Sequence, residues 1–257
     1  MIEQLRQHLL ALQKTPRIEG CPSSVPFGIP AIDRALGGGL VRGALHEIAA
    51  TGEAHLPATV GFALGMVGWN IGARKHAVLR TAMPSHDRRG VFWISEDLTL
   101  AESGAPHGAG LDAFGLTPEQ LVMVSAAHRR DLLWGMEEAL RCRAISSVIG
   151  EMRGGGIDGV TVRRLSLAAA ESGTLALLLR TEPPNDASTA ATRWIVGAAP
   201  SIASGSPRFA AQLVRNRRGP VGSWILEWSD RDGQFILATH AQPVAAPAFD
   251  RSHRQVA

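Results

Sequence analysis

The segment Ala49-Ala50-Thr51-Gly52-Glu53-Ala54-His55-Leu56-Pro57-Ala58-Thr59 lies where a phosphate-binding loop would be sought, just behind the strand-like run Ala44 to Ala49. Such a loop needs glycine at both ends of a short stride, then lysine and a serine or threonine. Its backbone N–H groups cradle phosphates and its ammonium reaches the outer ones. With Ala50 in the first position, the places for Gly, Lys and Thr are held by His55, Leu56 and Pro57; starting at Gly52, they are held by Pro57, Ala58 and Thr59. Pro57 has no N–H to offer in either frame. Lys14 and Lys75 are the chain's two lysines, and neither follows a glycine or precedes a hydroxyl residue. Ala50, Gly52, His55, Leu56 and Pro57 thus spell a degenerate cradle, and no nucleotide-binding residue is assigned.

Other residue pairs offer little more. Glu96-Asp97 follows the run Val91 to Ser95, and an acidic pair at a helix N-terminus is the simpler reading. Glu151 comes after Ser146 to Ile149 with Gly150 between them. That one-residue displacement is expected to turn its carboxylate to the far face of the sheet. His46-Glu47 has no second histidine at the spacing of a metal helix, and Gly37-Gly38-Gly39 reads as a turn. Cys21 and Cys142 lie too far apart in sequence for a CxxC pair and have no histidine at ligand spacing, so neither a disulfide nor a zinc site is expected. Cys142 is expected buried on a helix. There is no GxSxG elbow and no Cys–His motif. Catalytic residues, metal and cofactor are all expected to be absent.

The elements that must hold these residues alternate in type. Apolar runs at 44–49, 91–95, 121–125, 146–149 and 174–179 read as strands. Helical stretches at 57–74, 131–143 and 158–172 separate them, which predicts a mostly parallel sheet flanked by crossover helices. Thr117-Pro118 opens a short helical turn. After residue 205 the runs 208–214, 223–228 and 234–238 are separated only by short turns, which predicts an antiparallel extension. Ile2, Leu5, Leu9, Leu10 and Leu12 suggest an amphipathic helix, followed by a linker with prolines at 16, 22 and 26. The expected organisation is therefore an N-terminal helix and linker over 1–24, an α/β core over 25–240 and a flexible tail over 241–257.

At 257 residues, 45% hydrophobic and 19% charged, the chain can build a buried core and is not a disordered protein. The longest aliphatic run, Leu175 to Leu179, is far short of a membrane span, and residues 1–15 do not read as a signal peptide, so a cytoplasmic location is expected. Net charge is only +3, although all but two of the 26 basic residues are arginine. Genomic base composition and retained phosphate contacts explain that bias equally well.

Taken together, GIPAIDRALGGGL at 28–40, the strand Phe92 to Ser95 with Glu96-Asp97, the phrase LDAFGL at 111–116 and the late strand Phe209 to Asn216 with Arg217-Arg218 resemble the RecA core. The lost phosphate loop, the segment Ala190-Ala191-Thr192-Arg193-Trp194 read as a helix, and the strand Arg208 to Gly219 are similar to the ImuA family within it. The resemblance implies a RecA-like fold without nucleotide turnover; in a working RecA-type ATPase it would imply a water-polarising acid at Glu96-Asp97. It also implies a non-catalytic adaptor in damage-inducible (SOS) mutagenesis, nucleoid-associated on DNA damage. Such an adaptor docks the ImuB pseudo-polymerase and supports recruitment of an error-prone C-family polymerase for translesion synthesis. RecA itself and DNA without sequence specificity complete the partners it implies. Two other classes compete with this reading: a diverged RecA-type NTPase using Gly52 and arginines, and a plain non-specific DNA-binding module.

In RecA-like proteins, two loops at the carboxyl ends of core strands face DNA. Their positional counterparts are 152–159, MRGGGIDG, and 181–188, TEPPNDAS. Arg153 in the first loop, with Arg163 and Arg164 on the helix beyond, is a candidate phosphate contact. Arg215, Arg217 and Arg218 near the next hairpin form a second candidate set, equally readable as a charged edge against aggregation. Protein contact is expected of the N-terminal helix, of any exposed tryptophan and of the tail around Phe249.

Overall fold

The computed structural model describes residues 24–81, 90–142, 144–154, 156–183, 188–201 and 206–238. The expected N-terminal helix and the tail over 241–257 lie outside these residues.

Nine strands among the described residues form one sheet. The first core strand is β3 (Ala44–Ala50), and a small two-stranded ladder of β1 (Ser24–Val25) with β2 (Leu40–Val41) precedes it. Between β1 and β2 runs α1 (Pro30–Ala35), with proline in its first turn, where a missing N–H does no harm. Asp33 closes this entry by accepting hydrogen bonds from the N–H groups of Phe27 and Gly28. The turn expected at Gly37-Gly38-Gly39 is present. Gly39 has φ 125°, and a Cβ on it would sit 2.3 Å from the carbonyl oxygen of Val25.

Helix α2 (Leu56–Thr81) follows β3 and leads to β4 (Gly90–Glu96). Two short helices, α3 (Asp97–Ser103) and α4 (Gly108–Ala113), connect it to β5 (Leu121–Ala126). Thr117 and Gln120 form a reciprocal capping box on the turn Pro118–Gln120 that enters β5. The crossovers α5 (Arg129–Arg141) and α6 (Gly159–Ser172) then flank β6 (Ile145–Met152) and deliver β7 (Leu175–Arg180). Asp158 caps α6 through the Thr161 N–H, and Gly173 ends it in the left-handed region.

The remaining strands are β8 (Thr192–Ala198), β9 (Arg208–Asn216), β10 (Gly222–Ser229) and β11 (Gln234–Leu237). The spatial order is β11-β10-β9-β8-β3-β7-β6-β4-β5, parallel from β8 to β5 and antiparallel from β8 outward. This is the mostly parallel sheet with an antiparallel extension expected from the sequence. One expectation fails: Ala190 to Trp194 is not a helix. It enters β8, which pairs in parallel with β3, because alternating Trp194 and Val196 fill the core under α2.

Two cores sandwich the sheet. On one face α2, through Phe62, and the 111–116 segment pack over Trp93, Trp194, Trp228 and Phe209; on the other, α5 and α6 cover Phe92, Ile94, Val148 and Leu178. Gly68 lets α2 approach closely: a Cβ there would lie 1.9 Å from the Phe114 carbonyl oxygen. Cys142 is buried at the C-cap of α5.

Candidate functional site

The loop after β3 is folded onto its neighbour rather than around a ligand. Thr51 N–H donates to the Val196 carbonyl at 3.0 Å, prolonging the β3–β8 pairing past the end of β3. Gly52 is extended, and residues Glu53–His55 make a 3-10 turn in which His55 N–H donates to the Gly52 carbonyl at 2.9 Å. The His55 imidazole then reaches sideways, its Nδ1 accepting from the Ala198 N–H at 3.0 Å. Gly197 sits directly under this staple, since a Cβ there would lie 2.8 Å from Thr51 Oγ1. Two of the N–H groups that a phosphate cradle would aim inward are spent within the fold, and Pro57 in the first turn of α2 offers none.

Glu151 is not where the sequence placed it. Strand β6 continues through Gly150 to Met152, so Ile149 and Glu151 share the face under α2 while Gly150 packs against Met136 of α5. The one-residue displacement does turn Glu151 to the face opposite Gly150, but that is the face beside the loop, so the displacement brings its carboxylate toward the cavity instead of away from it. The Glu151 Oε2 accepts hydrogen bonds from Ser95 Oγ at 2.8 Å and Trp93 Nε1 at 3.1 Å. Burial holds its carboxyl above the ordinary carboxylate range, with the Ser95 and Trp93 hydrogen bonds pulling the other way.

Glu96 and Asp97 stand at the end of β4 and the start of α3, as the simpler reading has it. Glu96 binds Arg129 Nε at 3.1 Å and accepts from the Arg153 N–H at 3.0 Å, while Asp97 accepts from Ser125 Oγ. The pair locks the ends of β4, β5 and β6 together. Glu53, Glu102, Glu151 and Arg153 line one cavity of about 530 Å³ beside Leu56 and Pro57 of the degenerate loop. Three carboxylates against one guanidinium oppose a triphosphate at close range.

The candidate DNA-binding arginines do not form one surface. Arg153 is paired with Glu102, and Arg164 with Glu137, which also binds Arg141. Arg163 is exposed on α6. The two expected DNA loops do adjoin, since Gly154 N–H donates to Thr181 Oγ1 at 3.0 Å. Arg215, Arg217 and Arg218 lie at the other end of the sheet, where Asn216 pairs with Thr192 at the start of β8. There Arg218 donates to the Gly37 carbonyl, joining the hairpin to the glycine turn.

Sequence reasoning missed Arg129 and Glu102, whose partners lie on other elements and leave no local spacing to find. None of the six tryptophans is exposed. His46 and Glu47 are core residues: His46 bridges Thr192 Oγ1 and the Val41 carbonyl, and Glu47 pairs with Arg193 at 2.6 Å. Burial lowers His46 to about 4, so it is neutral. Among the described residues no cluster of three or more metal-ligating side chains occurs, and no helix is long and apolar enough to cross a membrane.

The architecture, six parallel strands with crossover helices and a loop joining the first of them to its helix, is the one that the resemblance to the RecA core implies. The ImuA resemblance is upheld by a relative: the chain is 29% identical to Protein ImuA of Caulobacter vibrioides strain NA1000 / CB15N over 221 residues, 78% of this chain and 82% of that protein. The same figures hold for Protein ImuA of strain ATCC 19089 / CIP 103742 / CB 15. Among solved structures, the RadB recombinase is similar at TM-score 0.48 and 13% identity, covering 80% of this chain and 96% of that one. No protein-family model matches the chain.

Proposed function

We propose that this chain is a non-catalytic RecA-like accessory protein of damage-induced translesion synthesis. In this reading it docks an ImuB-like Y-family pseudo-polymerase and through it supports recruitment of an error-prone C-family DNA polymerase. The proposal also places it in the cytoplasm, at the nucleoid when DNA is damaged. The observation that carries the reading is the loop at 51–57. Its Thr51 N–H is engaged by β8, its His55 N–H by its own 3-10 turn, and its His55 ring is stapled to Ala198. A motor would keep those groups free for phosphate. The similarity to Protein ImuA supports the assignment to mutagenesis.

Affinity capture of the tagged full chain from damage-treated cells tests it. Enrichment of an ImuB-like protein over an untagged control is expected. Its absence, with the bait folded and abundant, would count against the adaptor role.

A further inference from the structure

We propose that the cavity beside the closed loop is a binding site for a cationic side chain, an arginine or lysine presented by a partner protein. The inference rests on the reading above, because it needs a site that has ceased to hold phosphate.

The cavity measures about 530 Å³, within the range of pockets that enclose a small ligand. Its wall is divided by chemistry. Leu56, Pro57 and Val60 of α2 supply apolar surface, which suits the aliphatic stem of a long basic side chain, and the buried Trp93 stands behind Glu151. Glu151 is half-buried in the wall, while Glu53 and Glu102 in the same lining are exposed. Arg153 is the one guanidinium in the lining, and Glu102 already engages it.

The Glu151 carboxylate is oriented in advance. Ser95 and Trp93 both donate to its Oε2 and fix the side chain, so that a cation meets an acceptor that needs no ordering. A guanidinium or ammonium there gains charge-assisted hydrogen bonds in partly desolvated surroundings, whereas an anion meets three carboxylates. Adaptor function and this chemistry agree: the place where a motor holds its nucleotide becomes a socket for a peptide side chain.

The test uses the full chain labelled with ¹⁵N and follows the indole N–H resonance of Trp93, assigned by Trp93→Phe. The probes are N-acetyl-arginine methylamide, its citrulline counterpart, agmatine, and ATP with magnesium. The capped arginine should shift the Trp93 resonance saturably, and the neutral citrulline probe should not. Glu151→Gln, which keeps an oxygen to accept from Ser95 and Trp93, should weaken the arginine probe by about tenfold, the loss of one charge-assisted contact. Glu102→Gln in the same lining should weaken it in the same direction if Glu151→Gln fails to fold.

Equal response to citrulline, or no effect of either variant, overturns the proposal. Binding of agmatine with exclusion of the capped arginine also overturns it, since the occupant would then be a free amine. ATP shifting Trp93 and displacing the probe defeats the closed-loop reading too. Silence toward every probe defeats this inference alone.

Discussion

The two ends of the parallel sheet use arginine in opposite ways. At the carboxyl end, Arg129 and Arg153 are each held by a glutamate from another element, Glu96 and Glu102, and on the outer helices Arg164 is held by Glu137. At the amino end, Arg217 and Arg218 are exposed on the hairpin after β9, and Arg218 touches only a backbone carbonyl of the glycine turn in its one described side-chain contact. Arg129 and Arg153, beside the loop that would hold nucleotide, are therefore paired with carboxylates, while Arg217 and Arg218 on the hairpin have no carboxylate partner among the described residues. Residue type alone does not mark a phosphate surface; the partner of each guanidinium does.

The largest expected effect sharpens the amino end. His46 is neutral in the fold because burial lowers its pKa to about 4, whereas in the unfolded chain it takes a proton near 6.5. Between those values the unfolded state binds more protons, so stability is full above about pH 6.5 and falls as pH drops toward 4. The loss attributable to this residue is about 3 kcal/mol, and urea denaturation across that range should show it in the native chain but not in His46→Gln. A flat difference between the two would break the account of the core at that end.

The carboxyl-end clamp comes next. Glu96→Ala removes the acceptor of both the Arg129 guanidinium and the Arg153 N–H, and should destabilise the chain by about 2 kcal/mol in urea denaturation. His55→Ala should lower stability by about 1 kcal/mol and speed hydrogen exchange at the Ala198 amide, which loses its acceptor. Unchanged exchange there would mean that the staple does not hold the loop shut.

The smallest effect concerns DNA. On duplex DNA the logarithm of affinity falls by roughly 0.9 per log unit of salt for each phosphate neutralised. Replacing Arg215, Arg217 and Arg218 together by alanine should reduce that slope more than replacing Arg153, Arg163 and Arg164, because Arg153 and Arg164 are already paired. Fluorescence anisotropy over a salt series measures it, and the reverse ranking would dissolve the contrast between the two ends.

Much of the fold was legible because its strands are short apolar runs between clear helix signals. Asp158 and Gly173 bound α6, and the Gly219-Pro220 and Asp230 to Gly233 turns announce the antiparallel extension. Strand β8 was not legible. Its lead-in of alanines favours a helix locally, and only the position beside β3 turns Trp194 and Val196 into core residues. Within the site, the absence of lysine at the loop could be read directly from residue types. The facing of Glu151 could not, because alternation along β6 does not say which of its faces lies beside the loop. Glu96–Arg129 and Glu47–Arg193 were equally hidden, each joining residues from separate elements.

The account turns on whether the loop between β3 and α2 can hold a nucleotide. Isothermal titration of the full chain with ATP and magnesium measures this directly. The closed turn at 51–57, with its Thr51 and His55 N–H groups spent and its cavity lined by carboxylates, predicts no saturable heat at micromolar to low-millimolar nucleotide. Stoichiometric binding that is lost on substituting residues of that loop would contradict it.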